Sequence, residues 1–336
     1  MKPELLIIPL VLVWVLSCSP AGRGEYHTVQ GFTQGTTYSV TYRHENLSEL
    51  KAEIDSVLRI FDSSLNSYDS TSIISAINRN ESGVRTDSLF RTVFREASRV
   101  YQISGGAFDI TLAPVINAWG FGPGQQLDVD SAMVDSLLQY VGMDKVRLVG
   151  DQVVKSDPHV MLNVNAIAQG YAVDVLAAYL ESLGCRNYMV EIGGEIRTRG
   201  MNPNGNFWRI GVDRPELGNQ VPGRQLQVII NMHNRSLATS GNYRQFYEKD
   251  GMMITHTIDP ANGFPKASNL LSATILTEEC MTADAFATAC MVMGLEKAKD
   301  FVEKLKGVDA YFIYGDNFGN YRVWHSEGLN KYIESP

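Results

Sequence analysis

The sequence predicts an α+β domain in which antiparallel sheets carry helices packed on one face. Three observations lead there. Strand-like runs cluster in the second half, joined by turns too short to hold crossover helices. Tyr38, Val40 and Tyr42 alternate with Thr37, Ser39 and Thr41, the period of a half-buried strand. Ala166 to Leu183 carries an apolar stripe through Val173, Leu176, Leu180 and Leu183 and meets Gly184, a helix stop. With 336 residues the chain has length for one large domain or two, and no linker divides it.

In chain order, Met1-Lys2 and the apolar run Leu5 to Leu16 read as a targeting segment, too short for a comfortable membrane span. The run ends Val15-Leu16-Ser17-Cys18, which resembles a bacterial lipoprotein signal. The expected division is a signal over 1–17, a lipid-carrying Cys18 at the head of a tether over 18–29, and a folded domain over 30–330. A plain secretory signal is the alternative. Asn46 with Glu49 forms a capping-box pattern ahead of a helical stripe of Leu47, Leu50, Ile54, Val57, Leu58, Phe61 and Leu65. A polar turn over 66–70 follows, then a helix over 86–103 that stops at Ser104-Gly105-Gly106. Residues 122–130 form a Gly/Pro/Asp-rich loop. A short helix over 130–141 and a hairpin around Gly150-Asp151 precede the long helix at 166. Strands are expected near 187–192, 207–213, 225–231, 235–239, 252–258 and 270–277. A helix over 282–293 closed by Gly294, another over 295–306, and strands near 309–314 and 320–324 complete the reading.

Composition is that of a globular protein, 44% hydrophobic and 20% charged. A formal net charge of −8 without a basic patch argues against nucleic acid as a partner. Beyond Cys18, the cysteines Cys185, Cys280 and Cys290 show no CxxC spacing and make no disulfide framework. Cys290, on an apolar helix, reads as a buried small hydrophobe.

Four constellations bear chemistry. Asp284 and Thr288 stand four apart in an otherwise apolar helix, hence on one face, and offer two hard oxygen donors for a cation such as magnesium. The alternative is that Asp284 caps the helix start at Thr282 while Thr288 bonds back to its own backbone. His256 precedes the turn Asp259-Pro260-Ala261-Asn262-Gly263, which fixes its direction for either proton transfer or a structural hydrogen bond. Glycine-bearing turns at 104–106, Gly193-Gly194 and Ser240-Gly241 allow backbone to approach a ligand closely. The stretch Leu162-Asn163-Val164-Asn165-Ala166-Ile167-Ala168-Gln169-Gly170 runs from strand to helix and brings amide side chains to a helix start. None of these matches a P-loop or a GxGxxG fingerprint.

Taken in register, these pieces resemble the ApbE family of FAD:protein FMN transferases. The resemblance rests on Gly35-Thr36-Thr37, the 61–78 block with Tyr68, Gly105 to Asp109 leading to Trp119-Gly120-Phe121-Gly122, 166–174, Gly193-Gly194, Ser240 to Tyr243, His256 to Pro265, and Ala283-Asp284 to Thr288. It covers about 30–325 and implies an architecture related to the T-fold. It also implies that FAD is split at its diphosphate, FMN is joined to a Thr or Ser of a target protein, and AMP leaves. By position, Asp284, Thr288 and the Ala166 carbonyl resemble the magnesium ligands. Gln34, Tyr68, Ala107, Phe108, Asp109, Asn163, Gln169 and Ile258 fall where the family contacts FAD, with Tyr68 and Phe108 as rings able to pack on flat ligands. His256 stands in the place of the histidine proposed to activate the acceptor hydroxyl.

The sequence departs from the family pattern at three of these positions. Gln34 stands where methionine is common, Asn163 where aspartate is usual, and Gln169 where lysine or glutamate is usual. The implied acceptors are exported or membrane electron-transport proteins with an Asp-x-x-Ser/Thr-x-Ala-Thr type of motif, which this chain itself lacks. The implied location is the periplasmic face of the inner membrane, by a lipid anchor. A magnesium-dependent FAD pyrophosphatase and a flavin-binding lipoprotein without turnover are the competing readings.

Overall fold

A computed structural model describes residues 25–45, 49–124, 126–215, 225–242, 246–249 and 252–334. The first part runs β1 (Glu25–Thr33), β2 (Thr36–His44), α1 (Lys51–Leu65), α2 (Ile73–Asn78), α3 (Ser88–Ile103), α4 (Ala113–Ala118), α5 (Ser131–Leu138), β3 (Val146–Val149), β4 (Gln152–Lys155) and α6 (Asn165–Ser182). It continues with β5 (Tyr188–Ile192), β6 (Glu195–Arg199), β7 (Trp208–Asp213), β8 (Leu226–Met232), β9 (Ser236–Gly241), β10 (Phe246–Lys249), β11 (Met252–Thr255) and β12 (Leu270–Thr277). Last come α7 (Cys280–Met293), α8 (Leu295–Glu303), β13 (Asp309–Gly315), β14 (Tyr321–His325) and β15 (Ile333–Glu334).

Eight strands form one sheet in the order β1-β2-β5-β6-β9-β12-β13-β14. Its pairings are antiparallel throughout. Alternation along the central strands sorts its residues to two faces. Ala238, Ile275, Ala310 and Phe312 pack with helices α1, α3, α6, α7 and α8. Leu237, Leu276, Tyr311 and Ile313 face the other way, onto Trp208, Ile210, Val228 and Ile230 of a three-stranded sheet ordered β15-β8-β7. The predicted class and the helix-bearing face are therefore present. The opposite face is closed by a second sheet, which explains why β12 is buried along nearly its whole length instead of on alternate residues.

Several expectations are corrected. β1 reaches back to Glu25, into the stretch read as tether, and pairs along its whole length with β2. Gly31 in that strand hid it from the alternation test. Asn46 and Leu47 lie outside the described residues, and α1 starts at Lys51 behind Leu50, which makes no side-chain cap. The expected strand over 252–258 stops at Thr255, leaving His256 just past its end. Residues 239–241, read as part of a turn over 239–242, are instead the end of β9, and the turn begins at Asn242. Helix α7 begins at Cys280, before Thr282. The Asp174 carboxylate on α6 accepts the Cys280 and Met281 N–H groups at 3.0 and 2.8 Å and so caps it from across the interface. Arg197 on β6 pairs with Asp174 at 2.5 Å. Helices α2 and α4 and strands β6 and β10 were not anticipated.

Cys185, Cys280 and Cys290 are buried free thiols. Residues 1–24, with Cys18, lie outside the described residues. Among the described residues no helix is long and apolar enough to cross a membrane.

Candidate functional site

The site is built where α6 and α7 touch. Gly170 makes the contact possible. A Cβ there would lie 2.5 Å from the Cys280 carbonyl oxygen and 2.8 Å from the Asp284 Cβ. With hydrogen in that place, the Gly170 N–H reaches the Asp284 carboxylate at 3.0 Å. In a regular helix the Gly170 N–H belongs to the Ala166 carbonyl, so these three groups converge. Asp284 sits more than a turn into α7 and is not its cap. Burial pushes its carboxyl up to about 7, the Gly170 N–H only partly opposing the shift. One turn on, the Thr288 hydroxyl lies 3.2 Å from the Ser240 hydroxyl of β9. A buried carboxylate, two hydroxyls and a helix-start carbonyl are a hard oxygen set that suits magnesium. Among the described residues no group of three His, Cys, Asp or Glu side chains could hold a metal, so a cation here rests on these mixed oxygen donors.

His256 is positioned by a separate small core of Leu112, Val115, Trp119, Val134, Ile254 and Ile258. The Trp119 indole N–H donates to the Gly263 carbonyl at 2.8 Å, and the Tyr247 hydroxyl donates to the Trp119 carbonyl at 3.2 Å. The turn itself is tied by the Gly263 N–H to the Asp259 carbonyl at 2.7 Å, and Ile258 bridges Pro265. Phe121 then stands edge-on to the His256 imidazole at 6.3 Å. The Tyr68 hydroxyl donates to the Phe121 carbonyl at 3.3 Å, linking the histidine's neighbour to the rim.

A single cavity of about 980 Å³ joins these parts, large enough for a dinucleotide. Gln34, Tyr68, Ala107, Phe108, Asp109, Asn163, Ala166, Gln169, His256, Ile258, Asp284 and Thr288 all line it. The structure thus brings together every site residue singled out from the sequence except Cys18, which lies outside the described residues.

Their individual settings differ. Tyr68 is 60% exposed and offers a free ring, whereas Phe108 is 2% exposed and buried in the helix-side core. The Tyr68 ring is therefore open to a flat ligand, whereas Phe108 gives the cavity lining only a small exposed surface. The Asn163 amide oxygen accepts the Asn165 N–H at 2.9 Å, so it caps the first residue of α6 instead of leaving that donor to an anion. Asp109 accepts from the Thr111 N–H and hydroxyl at 2.8 and 2.6 Å. The Gln169 amide nitrogen packs over Gly193, where φ is +61° and a Cβ would come within 2.8 Å of it.

Electrostatics set the cavity apart. Burial holds the carboxyls of Asp62, Asp109, Glu191 and Asp284 above the ordinary range. No lysine or arginine is among the described residues that line it. Such a wall repels a diphosphate unless a cation stands between them. Sequence reasoning missed Asp62, Ser240 and Glu191 here. Ser240 entered only within a glycine-bearing turn and a block of the family pattern, with no role of its own, and nothing in the local pattern marked Asp62, which looks like one more polar position of an amphipathic helix.

The pattern that defines the ApbE family matches residues 34–312. A protein of Vibrio cholerae named FAD:protein FMN transferase is 38% identical over 285 residues, covering 82% of this chain and 84% of that protein. Its namesake from Escherichia coli is 31% identical over 325 residues, 93% of this chain and 90% of that protein. The solved structure of the flavin transferase ApbE from Vibrio cholerae superposes with a TM-score of 0.83 at 33% identity, covering 92% of this chain and 99% of that one.

Proposed function

The chain belongs to the ApbE family, and we propose that it is an FAD:protein FMN transferase that moves FMN from FAD to a Thr or Ser hydroxyl of an exported or membrane flavoprotein. The observation that carries the reading is the cavity: it joins a buried oxygen-donor set, a histidine and a free aromatic ring, and no lysine or arginine is among the described residues that line it. Asp284, Thr288 and the Ala166 carbonyl are the residues that would hold magnesium. When bound, that ion offsets the diphosphate charge as the P–O bond breaks, which this acidic wall cannot do alone. His256 accepts the proton of the acceptor hydroxyl. The freed oxygen attacks the phosphorus of the FMN half, and the bond to the AMP half breaks with its electron pair going to the departing phosphate oxygen. The products are a phosphoester-linked FMN and AMP.

The test mixes purified protein, FAD, magnesium and a peptide bearing the Asp-x-x-Ser/Thr-x-Ala-Thr motif, then reads peptide mass and AMP. An FMN adduct with equimolar AMP is expected. AMP with free FMN and no adduct would assign a pyrophosphatase, and retained FAD without products a binding protein.

The Leu5 to Cys18 pattern supports the further reading that the protein is lipid-anchored at the cell envelope, facing the periplasm. Labelled palmitate should enter the full chain and fail to enter the Cys18→Ala variant. Absence of label from the unaltered chain would overturn the anchor.

A further inference from the structure

Two side chains of the cavity wall keep buried polar atoms that no protein group satisfies: both amide atoms of Gln34 and one carboxylate oxygen of Asp62. Such atoms are rare in folded proteins, and three of them on two side chains that line one cavity point to a ligand. The two residues come from adjoining elements. The Leu50 backbone, just ahead of α1, lies beside the Tyr42 hydroxyl. Asp55, one turn into α1, accepts from the Tyr38 hydroxyl at 2.5 Å. Helix α1 therefore runs back along β2, and its last turns, with Asp62, arrive beside the β1–β2 turn that carries Gln34.

The turn makes the case sharper. Gln34 and Gly35 have φ of +50° and +76°, the two-residue hairpin geometry that favours Asn-Gly. Glutamine gains nothing from that backbone, which is strained for a side chain of its kind. What it adds over asparagine is one methylene of reach, and that reach puts its amide into the cavity wall.

We propose that Gln34 and Asp62 form a recognition corner for the edge of a nitrogen heterocycle, one presenting an N–H donor beside a ring or carbonyl acceptor. Asp62 accepts the N–H, and the Gln34 amide donates to the neighbouring acceptor. This rests on the transferase reading and deepens it, since FAD carries two such edges, the imide of its flavin and the amidine edge of its adenine.

The experiment measures binding of FAD, FMN and ADP to the full chain at fixed magnesium, for the unaltered protein, Gln34→Asn and Asp62→Asn. Gln34→Asn keeps the turn, and should melt no lower than the parent, while withdrawing the amide. Asp62→Asn keeps the shape. Both variants should lose about tenfold in FAD affinity and a similar factor for the same one of FMN or ADP, leaving the other within about twofold. The ligand that shares the loss names the ring. FAD affinity within about twofold of the parent in either variant, equal losses for all three ligands, or losses on opposite halves of FAD would each overturn the corner. Failure of the unaltered chain to bind FAD would instead sink the transferase reading, and it is read on a different protein.

Discussion

Replacing Asp284 by asparagine should stabilise the metal-free protein at alkaline pH while removing its response to magnesium. Burial raises the Asp284 carboxyl from 3.8 to about 7. Between those values the folded chain keeps a proton that the unfolded chain has released, so stability falls as pH rises through that window. Above pH 7 the full cost is on the order of 4 kcal/mol, at about 1.4 kcal/mol for each pH unit of the gap. Asparagine cannot ionise and still accepts the Gly170 N–H. Its new N–H₂ group offsets part of the gain, by about 1–3 kcal/mol. The expected net gain is about 1–3 kcal/mol in chelator at pH 8, a rise of roughly 2 °C in Tm per kcal/mol. At pH 5 the parent carboxyl is mostly neutral and the gain should shrink or reverse. Magnesium at a hundred times its Kd should add about 2.7 kcal/mol to the parent and little to Asp284→Asn. Calorimetric melting at pH 5 and pH 8, each with chelator and with magnesium, reads all four cells of this comparison. A variant less stable than the parent at pH 8 in chelator, or one raised as far by magnesium, would refute the reasoning.

Three more perturbations test the supporting parts. Gly170→Ala forces a Cβ against the Cys280 carbonyl and Asp284; it should cost about 1–3 kcal/mol and weaken magnesium-linked stabilisation, both visible in the same melts. His256→Gln should lower transfer about 10²–10⁴-fold with FAD affinity little changed, measured by AMP release beside a binding titration; full transfer would remove the base role. Arg197→Leu strips Asp174 of its ion-pair partner. Burial already holds that carboxyl above its usual range despite the guanidinium, whereas the Arg197 side of the pair is strongly favoured as charged. The loss should therefore come from the stranded charge, about 3–5 kcal/mol, lowering the urea midpoint; an unchanged midpoint would show the clamp to be idle.

Much of the fold was legible because its periodic elements carry their own signal. The alternation at 37–42 is β2, and the stripe of 166–183 is α6 to within a residue at each end. What escaped notice is stabilised from elsewhere. Helices α2 and α4 have six residues each, too few for a stripe, and they hold through packing such as Ile74 and Val115 in the cores. The start of α7 was misplaced because its cap is Asp174, which lies more than a hundred positions earlier in the chain. At the site, spacing alone put Asp284 and Thr288 on one face, and family resemblance supplied the rest of the set. No sequence signal could reveal the place of Asp62 or the lack of lysine and arginine among the described residues of the cavity lining, since both are properties of a wall assembled from distant segments. Gln34 was flagged only as a departure from a family pattern, and its meaning depends on a backbone angle that no residue letter carries.

The central claim is that the diphosphate of FAD lies over a divalent cation held by α7. The most direct measurement is an anomalous difference map of crystals grown with FAD and manganese in place of magnesium. A peak within bonding distance of the Asp284 carboxylate and the Thr288 hydroxyl, with both phosphates beside it, is the expected result. A nucleotide ordered in the cavity with no peak at those oxygens, or a peak on other residues, would contradict the account.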